Sequence, residues 1–315
     1  MSEPYLVGLI GARGYAGAEL LHLIAVHPEL MLGYAVSREW AGRKVCEISP
    51  DILDEAIFEA LTPEEAAARR AHVVVLALPD GAGAPYIEAI NRLAPDDIII
   101  DLSADHRFDD DWAYGLPELN RTKIAGVRRI ANPGCYATAM QLALAPLVSR
   151  LDGVPAVFGV SGYSGAGATP SPRNDAERLK DNLMPYKLVG HNHEREAPRH
   201  LGVPVRFMPH VHPAFRGLIA SCHVPLAEPL DREALKQIYV DAYKDEPLIG
   251  LADAPPELKD MAGASGVLIG GFDVSADGRN AVVVAAEDNL LKGAAVQAMQ
   301  NLNLALGLPE LCGLV

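Results

Sequence analysis

Residues 5–30 read YLVGLIGARGYAGAELLHLIAVHPEL, and this stretch decides the fold. A short apolar run, suited to a strand, leads into a glycine-rich turn and then into an amphipathic helix. Gly8, Gly11, Gly14 and Gly17 recur at every third position. Glycine lets the chain turn tightly and lets a backbone approach a pyrophosphate, while the N-terminus of the following helix offers unpaired N–H donors. The spacing Gly11-x-x-Gly14-x-x-Gly17 is a variant of the dinucleotide fingerprint. Strand, turn and helix in this order make the loop a nucleotide-binding candidate on Gly11, Arg13, Gly14, Tyr15, Ala16 and Gly17. The same glycines also suit close strand–helix packing with no ligand.

Working outward, the next apolar run, MLGYAVS at 31–37, ends at Ser37 and Arg38. An acidic residue at this point would hold the ribose 2′-hydroxyl of NAD. A hydroxyl and a guanidinium stand there instead and suit a 2′-phosphate, so NADP(H) is the expected cofactor, although Glu39 follows directly. HVVVLALPDGAGAPYIEAI at 72–90 reads as buried strand, turn and helix, and DIIIDLSADHRF at 97–108 as another buried strand ending at Ser103. Short apolar runs alternating with helices imply a parallel sheet covered on both faces, with ligands beyond the carboxyl ends of its strands. Pro79, Asp80, Ser103 and Arg107 lie at those ends. After Cys135 the pattern changes to strands with longer connections: VPAVFGVSGYSGAGA, FRGLIASCHVPL, GVLIGGFDVS and NAVVVAAED. The fold class expected is therefore α/β, a Rossmann-like parallel-sheet domain followed by a mixed α+β domain. NLLKGAAVQAMQNLNLALG at 289–307 reads as a single amphipathic helix opened by Asn289 and Lys292 and stopped by Gly307 and Pro309.

A length of 315 residues favours two domains, and 50% hydrophobic residues supply their cores. No apolar run is long and charge-free enough to cross a membrane. The net charge of −14 argues against a general nucleic-acid surface, while leaving room for a locally basic pocket and an anionic substrate. Cys46, Cys135, Cys222 and Cys312 are far apart, lack metal-ligand spacing and fit a reducing cytoplasm. Within RIANPGCYATAMQLAL, residues 129–144, Pro133 and Gly134 break the chain and an apolar helix follows. Cys135 is thereby placed at a helix N-terminus, where unpaired N–H groups and the helix dipole favour thiolate. A small buried residue at a turn would read the same way. His191 and His193, with Glu194 and Glu196 nearby, and His210 with His212, form two H-x-H pairs. A zinc site would need a third ligand and a base from elsewhere, whereas a nucleophilic thiol needs only an imidazole.

These motifs, in order, resemble the N-acetyl-γ-glutamyl-phosphate reductase family, within the broader group that includes aspartate-semialdehyde dehydrogenases. The resemblance runs through GARGYAGAEL, VSREWAG, ALPDG, DLSADHRF, YGLPEL, NPGCYATA, SGYSGAGAT, GHNHEREAP, FRGLIASC and DNLLKGAAVQAMQNLNLALGLPE, nearly the whole chain. Two positions depart from the pattern: Asp80 stands where the family usually has histidine, and Arg195 where H-x-H-x-P-E has proline.

The resemblance implies an NADP-binding domain at 1–134 completed by 289–315, and a catalytic and oligomerisation domain at 135–288. It implies Cys135 as a nucleophile forming a thioester with a small acyl-phosphate substrate, and NADPH as reductant. His193 is the first choice of acid/base and His191 the second. Pro79, Ser103 and Asn289 join the cofactor set. Arg107, Tyr114, Glu118, Asn132, Glu196 and Arg216 form the substrate set, in which Glu196 also suits orienting the imidazole. A cytoplasmic homodimer or homotetramer, with no nucleic-acid or membrane partner, is implied. The alternatives are a reductase of a related acyl phosphate, aspartyl phosphate or an aminoadipyl homologue, and a non-catalytic NADP-binding sensor.

Overall fold

The computed structural model describes residues 3–52 and 55–314. The chain divides into two compact units, Met1–Pro133 with Ala294–Val315, and Gly134–Gly293.

The first unit is built on strands β1 (Tyr5–Ile10), β2 (Leu30–Val36), β3 (Phe58–Glu59), β4 (Val73–Leu76), β5 (Ile98–Asp101), β6 (Ala113–Tyr114) and β7 (Arg129–Ala131). They lie in the order β3-β2-β1-β4-β5-β7-β6, and every neighbouring pair is parallel. Parallel neighbours need crossovers, which α1 (Tyr15–Val26), α2 (Pro63–Ala68), α3 (Ala84–Leu93) and α4 (Pro117–Ile124) help to supply. Both sheet faces are consequently buried. Val7, Leu9, Val73 and Val75 pack with Leu20, Leu21 and Ile24 of α1. Val74, Leu76 and Ile99, pointing the other way, pack with Tyr86, Ile87 and Ile90 of α3. This two-sided burial is why the strands read as unbroken apolar runs.

The second unit holds α5 (Cys135–Leu144), β8 (Ala156–Gly162), α6 (Ala176–Leu179), β9 (Met184–Pro185), α7 (Asn192–Leu201), β10 (Arg206–His212), β11 (Leu218–Pro225), α8 (Arg232–Tyr243), β12 (Ile249–Ala252), β13 (Val267–Val274) and β14 (Asn280–Glu287). Its sheet is mixed, in the order β12-β13-β14-β11-β8-β10-β9. The pairs β12·β13 and β8·β10 are parallel and the others antiparallel. Gly159 of β8 leaves room for α5: a Cβ there would stand 2.6 Å from Cε1 of Tyr136 and 2.7 Å from Cε2 of Phe207. Tyr243 donates its hydroxyl to the Leu142 carbonyl at 2.5 Å, and Tyr239 donates to that of Ala143. These phenols satisfy carbonyls that the end of α5 leaves without helical partners.

The C-terminal segment differs from the expected single amphipathic helix. Leu291–Ala295 forms a π-turn, and α9 runs only from Val296 to Leu306. The chain re-enters the first unit at Ala294 rather than at Asn289, because Asp288 and Asn289 are anchored in the second. The polar stripe of α9 is buried. Asn301 Nδ2 donates to the Gly115 carbonyl and to Oδ1 of Asn132, both at 2.9 Å. Asn303 Nδ2 donates to the carbonyls of Glu310 at 3.0 Å and Cys312 at 2.9 Å. Polar spacing in the sequence here reflects internal hydrogen bonding, which offsets the cost of removing amides from water. Gly307, left-handed at φ 73°, ends the helix as expected. Among the described residues no helix is long and apolar enough to cross a membrane.

Candidate active site

Cys135 is the first residue of α5. Gly134 is its N-cap, in an extended conformation with no side chain capping the helix, and no acidic residue lies in the first turn. The opening N–H groups of α5 therefore bring positive partial charge to the helix end that half-buried Cys135 heads, the environment that favours thiolate. The approach is fixed from α7. The fully buried carboxylate of Glu196 accepts the Gly134 N–H at 2.9 Å. Glu196, expected to orient an imidazole or touch substrate, braces the main chain one residue before the thiol.

The two histidines of GHNHEREAP have different tasks. His191 is the N-cap of α7, and its Nδ1 accepts the His193 N–H at 3.1 Å. Burial, and after it the neighbouring His193, lower the pKa of His191 to about 3. Its ring is thus neutral, with the proton on Nε2. His193 lies 4.7 Å away, ring centre to ring centre, and 6.0 Å from the Tyr136 ring. Tyr136 donates its hydroxyl to the His210 carbonyl at 2.8 Å, so the second H-x-H pair holds α5 through its backbone.

Residues after β14 close on the thiol from another direction. A Cβ on Gly293 would stand 2.6 Å from Cβ of Cys135 and 2.8 Å from Oε1 of Glu287. Asp288, fully buried, accepts from the Gly263 N–H at 2.6 Å and the Leu290 N–H at 2.8 Å, and lies 3.4 Å from Nη1 of Arg216. Asn289, expected beside the nicotinamide, donates to the Ser164 hydroxyl at 2.8 Å and accepts the Gly217 N–H at 2.9 Å. Sequence reasoning missed Gly293, Glu287 and Asp288. The signal was an acidic pair ending an otherwise apolar strand in NAVVVAAED.

The glycine loop of the first unit fits a nucleotide phosphate. Gly11 adopts φ 87°, where a Cβ would collide with the Ala77 carbonyl, and a Cβ on Gly17 would stand 2.6 Å from the Gly11 carbonyl oxygen. Gly14 caps α1 with no side chain and no acid in the first turn, leaving the helix end open to an anion. Arg13 pairs with Glu39 at 3.0 Å. The acid that followed Arg38 in sequence is thereby taken by another residue, and exposed Arg38 makes no ion pair among the described residues. Ser37 Oγ accepts the Trp40 N–H at 3.3 Å. Pro79 opens a turn that accepts the Ala82 N–H at 3.1 Å, and Ser103 donates to Asp101 at 2.6 Å. Asp80, the departure from the family pattern, accepts the Ala104 N–H at 2.9 Å, while Asp105 accepts the Gly81 N–H at 2.7 Å. This reciprocal clasp joins two loops at strand ends.

Four of the other residues expected to contact substrate lie in this unit. Arg107 is buried and donates to the carbonyls of Asn132 at 2.9 Å and Leu102 at 2.7 Å, bridging the ends of β5 and β7. Asn132 donates to the Ala294 carbonyl at 3.2 Å and accepts from Asn301. Tyr114 is buried on β6, and Glu118 lies in the first turn of α4.

Comparison with known proteins sets the class first. Residues 6–127 match the family model described as semialdehyde dehydrogenase, NAD binding domain, and residues 135–289 the one described as semialdehyde dehydrogenase, dimerisation domain. The fold is similar to that of aspartate semialdehyde dehydrogenase II complexed with ASA from Vibrio cholerae, with TM-score 0.77 and 20% identity over 97% of this chain and 99% of that one. It is also similar to aspartate semialdehyde dehydrogenase with NADP from Candida albicans, with TM-score 0.72 and 15% identity over 96% and 99%. Far greater identity links it to N-acetyl-gamma-glutamyl-phosphate reductases: 55% with that of Xanthomonas campestris pv. campestris strain B100, covering 98% of both chains, and 53% with that of Xylella fastidiosa strain M23, covering 98% and 95%. The chain belongs to the N-acetyl-gamma-glutamyl-phosphate reductase family.

Proposed function

We propose that the protein reduces N-acetyl-γ-glutamyl phosphate to N-acetyl-glutamate semialdehyde and phosphate, with NADPH, as a step of arginine biosynthesis. The observation that carries this reading is Cys135 at the uncapped start of α5, braced through Gly134 by buried Glu196. The thiolate attacks the acyl carbon, a C–S bond forms, and the bond from that carbon to the phosphate oxygen breaks with phosphate taking the electron pair. NADPH, when bound, supplies the hydride that reduces the thioester. His193 takes the thiol proton, gives it to the alkoxide oxygen that hydride transfer creates, and takes it back as the C–S bond breaks and that oxygen becomes the aldehyde carbonyl. Cys135 finally leaves as thiolate. His191 stays neutral throughout, a cap that holds the first turn of α7 and with it His193.

The first unit, with α9, binds the nucleotide in this reading, its phosphates at Gly11–Gly17 and its 2′-phosphate at Arg38. The second is the catalytic and oligomerisation unit. Half-exposed Phe158 and Met208, side by side on β8 and β10, support a homodimer or homotetramer built on this sheet. The four free cysteines support a cytoplasmic setting.

The test is NADPH oxidation with N-acetyl-γ-glutamyl phosphate, run beside aspartyl phosphate and the aminoadipyl homologue. The reading requires the first to give the highest kcat/KM. Preference for another acyl phosphate transfers the assignment to that substrate. NADPH binding with no turnover on any of them identifies a sensor.

A further inference from the structure

Two cations without a carboxylate flank the rings of Tyr186 and His191. Arg173 lies over the ring of Tyr186, its guanidinium carbon 5.1 Å from the ring centroid. Tyr186 in turn meets His191 edge-on at 5.5 Å. His191 also meets the ring of Tyr136, the residue after Cys135, edge-on at 6.5 Å, which sets this ring cluster beside the start of α5. Lys187 follows directly, and its Nζ donates to Oδ1 of Asn192, the first residue of α7, at 3.2 Å. Among the described residues neither Arg173 nor Lys187 forms an ion pair with a carboxylate. Cations beside the histidine cluster that packs on the start of α5, with no counter-ion of their own, suit an anion supplied from outside.

The geometry is built. Ser171 Oγ accepts the Arg173 N–H at 3.3 Å. Asn174 accepts the Ser171 N–H at 2.7 Å and donates to the carbonyls of Gly167 and Thr169, both at 2.8 Å. The loop leading to Arg173 is thus closed by its own side chains. Lys187 holds a left-handed backbone at φ 41°, a strained conformation for a residue with a Cβ, and strain of this kind collects at ligand sites. The arginines that the sequence suggested for this task are engaged, Arg107 with backbone carbonyls and Arg216 with Asp288.

We propose that Arg173 and Lys187 form the anion subsite of the thiol centre and hold an oxyanion of the substrate, its phosphate or its α-carboxylate. The inference rests on the acyl-phosphate reading. A guanidinium fork gripping two oxygens and an ammonium as point charge would fix the acyl carbon for attack by Cys135.

The test measures alkylation of Cys135 by iodoacetamide, read by peptide mass spectrometry, against increasing inorganic phosphate and, separately, N-acetylglutamate. The wild-type chain should be protected by at least one anion. Arg173→Gln and Lys187→Gln should each raise its half-protecting concentration about tenfold, and Arg173→Lys should recover part of the loss. A shift for phosphate alone assigns the phosphate, and a shift for N-acetylglutamate alone the carboxylate. Wild-type half-protection in both glutamine variants, or no protection of the wild-type chain by either anion, overturns the proposal. Protection that depends on Arg173 in a chain lacking acyl-phosphate turnover sustains the subsite and rejects the substrate reading.

Discussion

Replacing Gly293 by alanine adds a single methyl group, and the surroundings decide its effect. Gly293 is not at positive φ, and alanine is the better residue in helical turns by about 1 kcal/mol, so an open site would make the change neutral or stabilising. The site is closed: the new carbon would stand 2.6 Å from Cβ of Cys135 and 2.8 Å from Oε1 of Glu287. Carbon atoms rest at about 3.5–4.0 Å, so the two segments must separate by about 1 Å. Overpacking of this size costs about 1–3 kcal/mol, which lowers Tm by several degrees. Displacing a reacting atom by about 1 Å costs roughly 10²-fold in turnover. Gly293→Ala is therefore expected to lose about two orders of magnitude in kcat and to melt earlier, with NADPH affinity unchanged. Steady-state kinetics, a thermal melt and cofactor titration on the same preparation check this. Unchanged turnover with an unchanged or higher Tm would refute the close approach of Gly293 to the nucleophile.

Cys135→Ser should reduce turnover to background while NADPH still binds, since a serine hydroxyl barely ionises at neutral pH. In the wild-type chain, timed alkylation should modify Cys135 long before Cys222, whose thiol burial pushes up to about 12. His193→Asn should lower kcat roughly 10²-fold, whereas His191→Asn, which keeps a capping side chain, should lower it far less; the reverse order would exchange their roles. His191 has a folded pKa of about 3 against an ordinary 6.5, so the unfolded chain takes up its proton first. Its contribution to stability is complete above pH 6.5 and is lost as pH falls toward 3, by up to about 1.4 kcal/mol per unit. Denaturant melts between pH 5 and 8 should show a shallower slope for His191→Asn than for wild type. Arg38→Ala should weaken NADPH by about 1–3 kcal/mol and leave NADH unaffected, measured by fluorescence titration; equal losses would remove the 2′-phosphate contact.

Local chemistry was legible wherever neighbours in sequence do the work. Gly11 and Gly17 announced a tight turn against a helix because only a missing Cβ permits it. Pro133 and Gly134 announced the start of α5, and with it the position of Cys135, because helix initiation is settled within a few residues. The parallel sheet followed from apolar runs that two-sided burial demands. The amide row of α9 misled the reading, since a polar stripe has the same spacing whether it meets water or, as here, Gly115, Asn132 and Glu310.

Partners distant in the chain were decided by tertiary structure alone. Nothing in GHNHEREAP states that Glu196 will find Gly134, or that His191 will be stripped of water and held neutral as a cap. Nothing in SPRND or MPYK places Arg173 and Tyr186 against each other beside His191, and no local rule predicts that Gly293 must lack a side chain because of Cys135. The sequence by itself determined where the backbone turns, which runs are buried and which residue heads the helix, because these depend on steric freedom and hydrophobic pattern over short range. Only the folded chain decided which charges meet, which are desolvated and which remain for a substrate, because hydrogen bonding and Coulomb energy depend on distances through space that the order of residues does not fix.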